Sequence, residues 1–355
     1  MKKILIIGAG PLGSLLAARL YEAGHNIFLM ARGKRLLDIR QHGVVVQEDG
    51  ADKEEVAPVK LVEAFDPDDD YDLVIVVMRK NQIEEILDVL SQNKRGPSFL
   101  FLGNNAAGPT SLVEALGKER VMLGFPLPGG KIEGHVARVM PVNEKYTYKI
   151  PIGEVDGSVK KRTVEVAKLL KSMRGYEVDI RKDMDAWLKY HVGILISGFA
   201  PAIYAADVNL KRLGKTQDLL IMAVRATKEA LRGLRKAGVP PSPGIVRFFE
   251  YVPEPVLVTL IGWIARKEYG KTSLEGHARA ARDEMQHLHK ELKSLIGGKV
   301  KTYYMDMLSK YFNADEDPFP EGSRNIQMKW KPLLVPLTGI LLLILFLFRV
   351  AKKRG

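Results

Sequence analysis

Residues 3–13 read Lys3-Ile4-Leu5-Ile6-Ile7-Gly8-Ala9-Gly10-Pro11-Leu12-Gly13, a short apolar run that ends in three closely spaced glycines. β-Branched residues in such a run fit a strand buried on both faces of a parallel sheet. Leu15, Leu16, Ala18 and Leu20 then recur at helical spacing up to Gly24, and Asn26–Met30 (NIFLM) supplies a second strand. Strand, glycine turn, helix and strand form the context that gives a G-x-G-x-x-G pattern its meaning. Gly8 permits the tight turn, Gly10 lets a pyrophosphate reach the backbone, and Gly13 allows the helix to pack closely on the strand. With Ala9, Pro11 and Leu12 they form the expected dinucleotide cradle, its phosphates facing free N–H groups at the helix N-terminus. The bland alternative is a glycine-rich turn without a ligand.

The end of the second strand separates two cofactors. An NAD site places an acid there for the ribose hydroxyls, whereas this chain has Ala31-Arg32-Gly33-Lys34-Arg35 and no carboxylate before Asp38. An acid would repel a 2′-phosphate, and Arg32 can pair with one, so NADP(H) is expected; a solvated basic loop is the alternative. Further strands are expected at Leu73–Met78 and Ser98–Leu102, with a helix pattern over Ile83–Leu90 between them. Each strand ends in polar residues, Arg79-Lys80-Asn81 and Gly103-Asn104-Asn105, where a doubly wound sheet opens its ligand crevice. Asp68–Asp70 reads as a solvated loop.

The chain has 355 residues, enough for two domains; 46% are hydrophobic and 27% charged, which excludes a disordered or low-complexity protein. It has no cysteine, which excludes disulfides, thiolate metal sites and cysteine nucleophiles. Of the net charge of +12, seven basic residues and no acid lie from Arg324 onward, leaving +5 on residues 1–323. This excess flanks Leu333–Phe348, sixteen residues without a charge, which as a helix span roughly 25 Å. Trp330, Lys331 and Arg349 flank it as interfacial residues flank a membrane span, so membrane insertion is expected rather than nucleic-acid binding. The stretch Asp315–Gly322 (DEDPFPEG) reads as a linker. At the N-terminus the apolar run is too short for a signal peptide. His277, His287, His289 and Asp283 lack the spacing of a metal site, so no metal is expected. Lys160-Lys161-Arg162 reads as a wet helix face.

These residues resemble the ketopantoate reductase (2-dehydropantoate 2-reductase) family. IGAGPLGSLLAARLYEAGHNIFLMARGKRL (7–36), LGNNAAG (102–108), IGEVDG (152–157) and WLKYHV (187–192) carry the resemblance, which runs from residue 1 to about 295. It implies NADPH reduction of a 2-oxo acid, a reaction of pantothenate biosynthesis, by a Rossmann domain followed by a helical domain. It also assigns roles: Gly8–Gly13 and Arg32 to the cofactor phosphates, Arg79 to a cofactor contact, Asn104 to the nicotinamide and substrate, Lys189 to proton donation, and Ser273 to the substrate. The family has asparagines where this chain has Gly193 and Ser197, another near Asp207, and a glutamate that aligns with Met285 beside Glu284. Lys189, Gly193 and Ser197 share one face of an α-helix, opposite a packing stripe of Trp187, His191, Ile194, Leu195 and Gly198. Replacing two amides by glycine and serine is expected to empty volume beside Lys189 and admit a bulkier carbonyl than ketopantoate.

The expected architecture is α/β: an NADP-binding Rossmann domain over 1–182, an all-α catalytic domain over 183–313, a linker over 314–331 and a transmembrane helix over 332–350. The expected partners are a small carbonyl substrate and the membrane, with the body cytoplasmic and a homodimer left open. A catalytically weak, membrane-associated NADP(H) sensor or scaffold is the alternative to the enzyme.

Overall fold

The computed structural model describes residues 1–143, 145–267, 275–329, 341 and 345. The chain divides into two compact units, Met1–Asn104 with Gly108–Asp185, and Asn105–Ala107 with Ala186–Gly355.

The first unit begins with β1 (Lys3–Ile7), α1 (Pro11–Glu22), β2 (Asn26–Met30), α2 (Gly33–His42), β3 (Val44–Glu48), β4 (Glu55–Ala57) and β5 (Lys60–Val62). It continues through β6 (Leu73–Val76), α3 (Lys80–Ser91), β7 (Ser98–Leu102), α4 (Thr110–Leu116), β8 (Val121–Gly124), β9 (Gly130–Glu133) and β10 (Val136–Val139). It ends with β11 (Tyr148–Glu154), α5 (Lys161–Lys171) and β12 (Tyr176–Ile180). Eight strands form one sheet in the order β12-β11-β8-β7-β6-β1-β2-β5. Its pairings are parallel except β11 with β8. The sheet is therefore the Rossmann-like one expected. β1 lies at its centre, Ile4 standing opposite both Ile27 and Leu73, and Ile4–Ile7 are fully buried. A central parallel strand is covered on both faces, which is why its sequence shows no alternation. A second sheet, β4-β3-β10-β9, went unread in the sequence.

Two buried charges tie these layers together. Arg19 of α1 donates to Glu48 of β3 at 2.8 Å and also pairs with Glu55 of β4. Glu154, at the end of β11, is buried; it accepts from Arg162 Nε at 3.0 Å and Thr163 Oγ1 at 2.6 Å. The basic run 160–162 is thus not a uniformly wet face: Lys161 is solvated, but Arg162 turns inward because an unpaired buried carboxylate would be costly.

α6 (Met184–His191) leads into the helical unit, which holds α7 (Ala200–Ala205), α8 (Leu210–Lys215), α9 (Gln217–Lys236) and α10 (Glu254–Ala265). α11 (Gly276–Ala280), α12 (Arg282–Ile296) and α13 (Tyr303–Ser309) complete it. Val192–Phe199 joins α6 to α7 as a π-helix. α9 is the hub, its apolar residues buried along most of its length.

The stretch expected to be a linker is a bonded strap. It lacks helix and strand from Pro318 to Lys329, yet it is fastened to the helical unit along its length. Phe319 N–H donates to the Ala205 carbonyl at 2.8 Å, and Gly322 N–H to Thr216 Oγ1 at 3.1 Å. Asp218 accepts from Asn325 N–H (2.9 Å), Ile326 N–H (2.8 Å) and the Ser323 hydroxyl. Burial alone would raise this carboxyl, but those donors hold it below its ordinary range. Arg225 and Glu254 form a buried bidentate pair, at 2.7 Å for each bond; Arg225 also binds the Gln327 carbonyl and Glu254 the Lys329 N–H. Among the described residues no single helix is long and apolar enough to cross a membrane. The expected span 332–350 lies outside the described residues except for Leu341 and Leu345.

Two stability predictions follow from the buried groups. Arg162→Leu removes the close cationic partner of the buried Glu154 carboxylate, leaving it Thr163 Oγ1 and Lys160 at 3.9 Å, and is expected to cost about 3 kcal/mol in urea unfolding, whereas Lys161→Leu changes little. His289 is buried against Phe312, ring centroids 5.1 Å apart, and among the described residues neither ring nitrogen has a hydrogen-bond partner. Burial, reinforced by Lys293, pushes its pKa down to about 4. The unfolded chain then gains a proton between pH 6.5 and 4 that the folded chain refuses, so stability falls as pH drops through that window. His289→Leu is expected to flatten the dependence of Tm on pH between 4 and 6.5; an unchanged slope would assign it to another group.

Candidate cofactor and proton-donor sites

The glycine turn is built by close approach. Gly8 has φ +112°, and a Cβ on it would stand 2.2 Å from the Val77 carbonyl oxygen. A Cβ on Gly13 would stand 1.8 Å from the Gly8 carbonyl oxygen, so α1 can pack on β1 only without a side chain there. A Cβ on Gly10 would meet nothing within 4 Å. No side chain caps α1, and its first backbone bond runs from Ser14 N–H to the Gly10 carbonyl at 2.9 Å. The Leu12 and Gly13 N–H groups thus precede the first helical bond and point out of the helix end, where an anion is favoured. An open glycine before an uncapped helix fits a dinucleotide phosphate.

Arg35, which the sequence reading did not single out, braces this turn. Its guanidinium donates to the Ala9 carbonyl (3.0 Å), the His135 carbonyl (2.8 Å) and Ser14 Oγ (3.1 Å). Of the basic loop, Arg35 is therefore consumed by structure, while Arg32 and Lys34 are exposed. Arg32 stands in extended backbone directly after β2, and the first turn of α2 contains no acid. The only sequence signal for Arg35 was its place in that basic run.

Arg79 precedes α3, half-buried, and Lys80 beside it is buried. Asn104 follows β7; it is 8% exposed, and among the described residues its Oδ1 accepts no hydrogen bond. The Gly8–Gly13 turn, Arg32, Arg79 and Asn104 thus lie after β1, β2, β6 and β7, four neighbours in the sheet. The carboxyl ends of such strands are where open α/β sheets bind ligands.

In the helical unit, Lys189 lies on α6 and is 9% exposed. Gly193 and Ser197 follow on the same continuous helical stretch, but in its π-helical part, where i→i+5 bonding breaks the four-residue spacing assumed for them. The burial divides the expected stripe, for Gly198 is buried and Ile194 packs partly buried against the core. Val192, Gly193, Ile196 and Ser197 are buried, whereas Leu195 is 38% exposed and Trp187 stacks on His191 at a part-exposed position. Nor does Gly193 empty any volume: a Cβ there would stand 3.2 Å from Leu234 Cδ1 and 3.6 Å from Ala230 Cβ, so α9 fills the space. Gly198 packs more closely still, 2.0 Å from Thr227 Oγ1 on the same measure. The expected widened pocket is therefore corrected at residue 193.

Asp207 is exposed, on the turn that ends α7, with φ +57° and its N–H on the Tyr204 carbonyl. Ser273 lies outside the described residues. On α12, Glu284 is buried next to Met285, so a carboxyl group is present one position from where the family pattern has its glutamate. His287 bonds Glu291 at 3.2 Å while His289 faces the core, so the two diverge.

Two glycine variants separate folding from ligand binding. Gly13→Ala must push α1 off β1 and is expected to lower Tm by several degrees. Gly10→Ala has room in the protein itself, so it is expected to keep the parent Tm and yet weaken dinucleotide binding at least tenfold in a fluorescence titration. Unchanged binding would remove Gly10 from the phosphate site.

Comparison with known proteins agrees with this geometry. Residues 4–141 match the protein-family model of ketopantoate reductase PanE/ApbA. The 2-dehydropantoate 2-reductase of Mesorhizobium japonicum is 24% identical over 252 residues, covering 62% of this chain and 75% of that protein. The 2-dehydropantoate 2-reductase structure from Geobacter metallireducens GS-15 superposes with a TM-score of 0.68 at 16% identity, covering 87% of this chain and 98% of that one. D-mandelate dehydrogenase, in a ternary structure with NADH and anilino(oxo)acetate, gives 0.67 at 18% identity, covering 87% and 96%. The resemblance read from the sequence holds, and residues 4–141 carry the ketopantoate reductase family domain.

Proposed function

We propose that the chain is an NADPH-dependent reductase of a 2-oxo acid or a related ketone, similar in chemistry to 2-dehydropantoate 2-reductase. Bound NADPH supplies the hydride that reaches the carbonyl carbon. Gly8–Gly13 and the α1 N-terminus hold the pyrophosphate, Arg32 pairs with the 2′-phosphate, Arg79 contacts the cofactor, and Asn104 positions nicotinamide and substrate. Lys189 gives its Nζ proton to the carbonyl oxygen as the carbon–oxygen double bond becomes single. The observation that carries the proposal is the environment of Lys189. A lysine on a wet helix would be solvated, whereas this one is 9% exposed and so is withdrawn from solvent, as a group that meets a bound substrate must be. The preference for NADPH rests on an exposed Arg32 with no acid in the first turn of α2. The uncharged segment 333–348 would tether the body to a membrane on its cytoplasmic side, where NADPH is available.

The absence of the family's two asparagines favours a second reading, an NADP(H)-binding sensor or scaffold with little turnover. The full chain distinguishes them when titrated with NADPH and NADH and then assayed with ketopantoate and a panel of 2-oxo acids and ketones. The enzyme is expected to bind NADPH more tightly than NADH and to turn over at least one substrate. Lys189→Ala is then expected to lose about 10²–10⁴-fold in kcat while its NADPH affinity stays at the parent value. Tight binding without turnover across the panel would favour the sensor, and no binding would end both.

A further inference from the structure

The strap changes what a membrane span at 332–350 would do. Fifteen unbonded residues from Asp315 to Lys329 would form a tether of about 20 Å root-mean-square reach, and the body would float clear of the bilayer. Instead the chain is held until Lys329, whose N–H is bonded at 2.9 Å to Glu254, the first residue of α10. Only Trp330, Lys331 and Pro332 separate this bond from Leu333, where the uncharged segment begins. Fully extended, that chain covers about 14 Å. The headgroup layer on each side of a bilayer is roughly 5–8 Å thick, so Glu254 must lie in it or just above it.

The surface next to Glu254 suits that depth. Tyr251, three residues before it, is 52% exposed. Tyr303 is 61% exposed and packs edge-on against Tyr304, ring centroids 4.9 Å apart; Tyr304 in turn receives a hydrogen bond from Arg225, the partner of Glu254. Tyr303 is thus connected through Tyr304 and Arg225 to the group that fixes the strap's exit, and Tyr251 lies three residues before that group in the chain. Aromatic rings of this kind favour the membrane–water boundary. Arg324 and Lys329 are exposed on the strap itself, and Lys331 follows, so the exit is cationic. Cations of this kind are drawn to anionic headgroups.

We propose that the helical unit docks on the headgroup layer of the bilayer through Tyr251 and Tyr303, held there by the strap. The proposal rests on the reading that residues 332–350 insert, and the test keeps the two apart. Because the chain has no cysteine, single-cysteine variants carry one environment-sensitive fluorophore each without background labelling. Tyr251→Cys, Tyr303→Cys and Leu341→Cys full-length proteins would be labelled and reconstituted into 3:1 phosphatidylcholine:phosphatidylglycerol vesicles. All three probes are expected to shift to the blue relative to detergent-free protein without vesicles. Twelve Gly/Ser residues inserted between Lys329 and Trp330 leave the body untouched. They are expected to abolish the shift at positions 251 and 303 but not at 341. A shift at 341 alone in the parent, or shifts at 251 and 303 that survive the insertion, would overturn docking by the strap. No shift at 341 would overturn the membrane span and the docking with it.

Discussion

Everything in the first unit is registered by one close approach, the seating of α1 against the end of β1. Where a side chain at Gly13 would sit 1.8 Å from the Gly8 carbonyl oxygen, a hydrogen lets the helix axis come down onto the sheet. That contact points the helix N-terminus at the carboxyl ends of the strands and leaves Gly10 open in front of it. Arg35 then locks the arrangement by bonding the Ala9 carbonyl, Ser14 and His135 together. A guanidinium with several donors in one plane can do this, whereas a lysine could not hold three acceptors in fixed directions. The turn is therefore a rigid fixture whose shape does not wait for a ligand.

In the helical unit the organising interactions are ionic and buried. Arg225 with Glu254 acts across 29 positions of sequence, and Asp218 with its three donors on the strap across 105 to 108. Breaking one partner would leave a charge in a poor dielectric, which makes such contacts all-or-none. They convert a segment with the composition of a tether into a fixed part of the body.

The strand–turn–helix–strand opening was legible because buried parallel strands announce themselves as uninterrupted apolar runs, and because glycine is required by sterics. The second sheet was not, since β4 (EVA), β9 (GKIE) and β10 (VARV) are three or four residues each, too short for periodicity to register. Of the candidate site, the glycine turn after β1 and the exposed Arg32 after β2 have the local structure that their spacing implied. Arg35 and Arg162 could not be told from solvated cations, because what turns them inward is a carbonyl or carboxylate distant in sequence. The strap was misread for the same reason: Asp315–Gly322 has linker composition, and the acids that fasten the residues after it, Asp218 and Glu254, lie on α9 and α10. The spacing of Lys189, Gly193 and Ser197 assumed 3.6 residues per turn, an assumption that a π-helix violates without any mark in composition.

That π-helical segment also bears on selectivity. An asparagine at 193 would have to push into Leu234 and Ala230, so the glycine here belongs to the packing of α9 rather than to an enlarged cavity. What differs from the family pattern is then polarity more than room. An asparagine offers two donors and an acceptor, glycine none, and Ser197 a single buried hydroxyl that, among the described residues, has no hydrogen-bond partner. Sites that hydrogen-bond a substrate discriminate against analogues lacking the matching group by far more than sites that only fit its bulk, because the site's own buried polar atoms would be left unpaired. On the proposed reading, losing such atoms should flatten discrimination among 2-oxo acids and ketones of similar size. It should do little to admit larger ones.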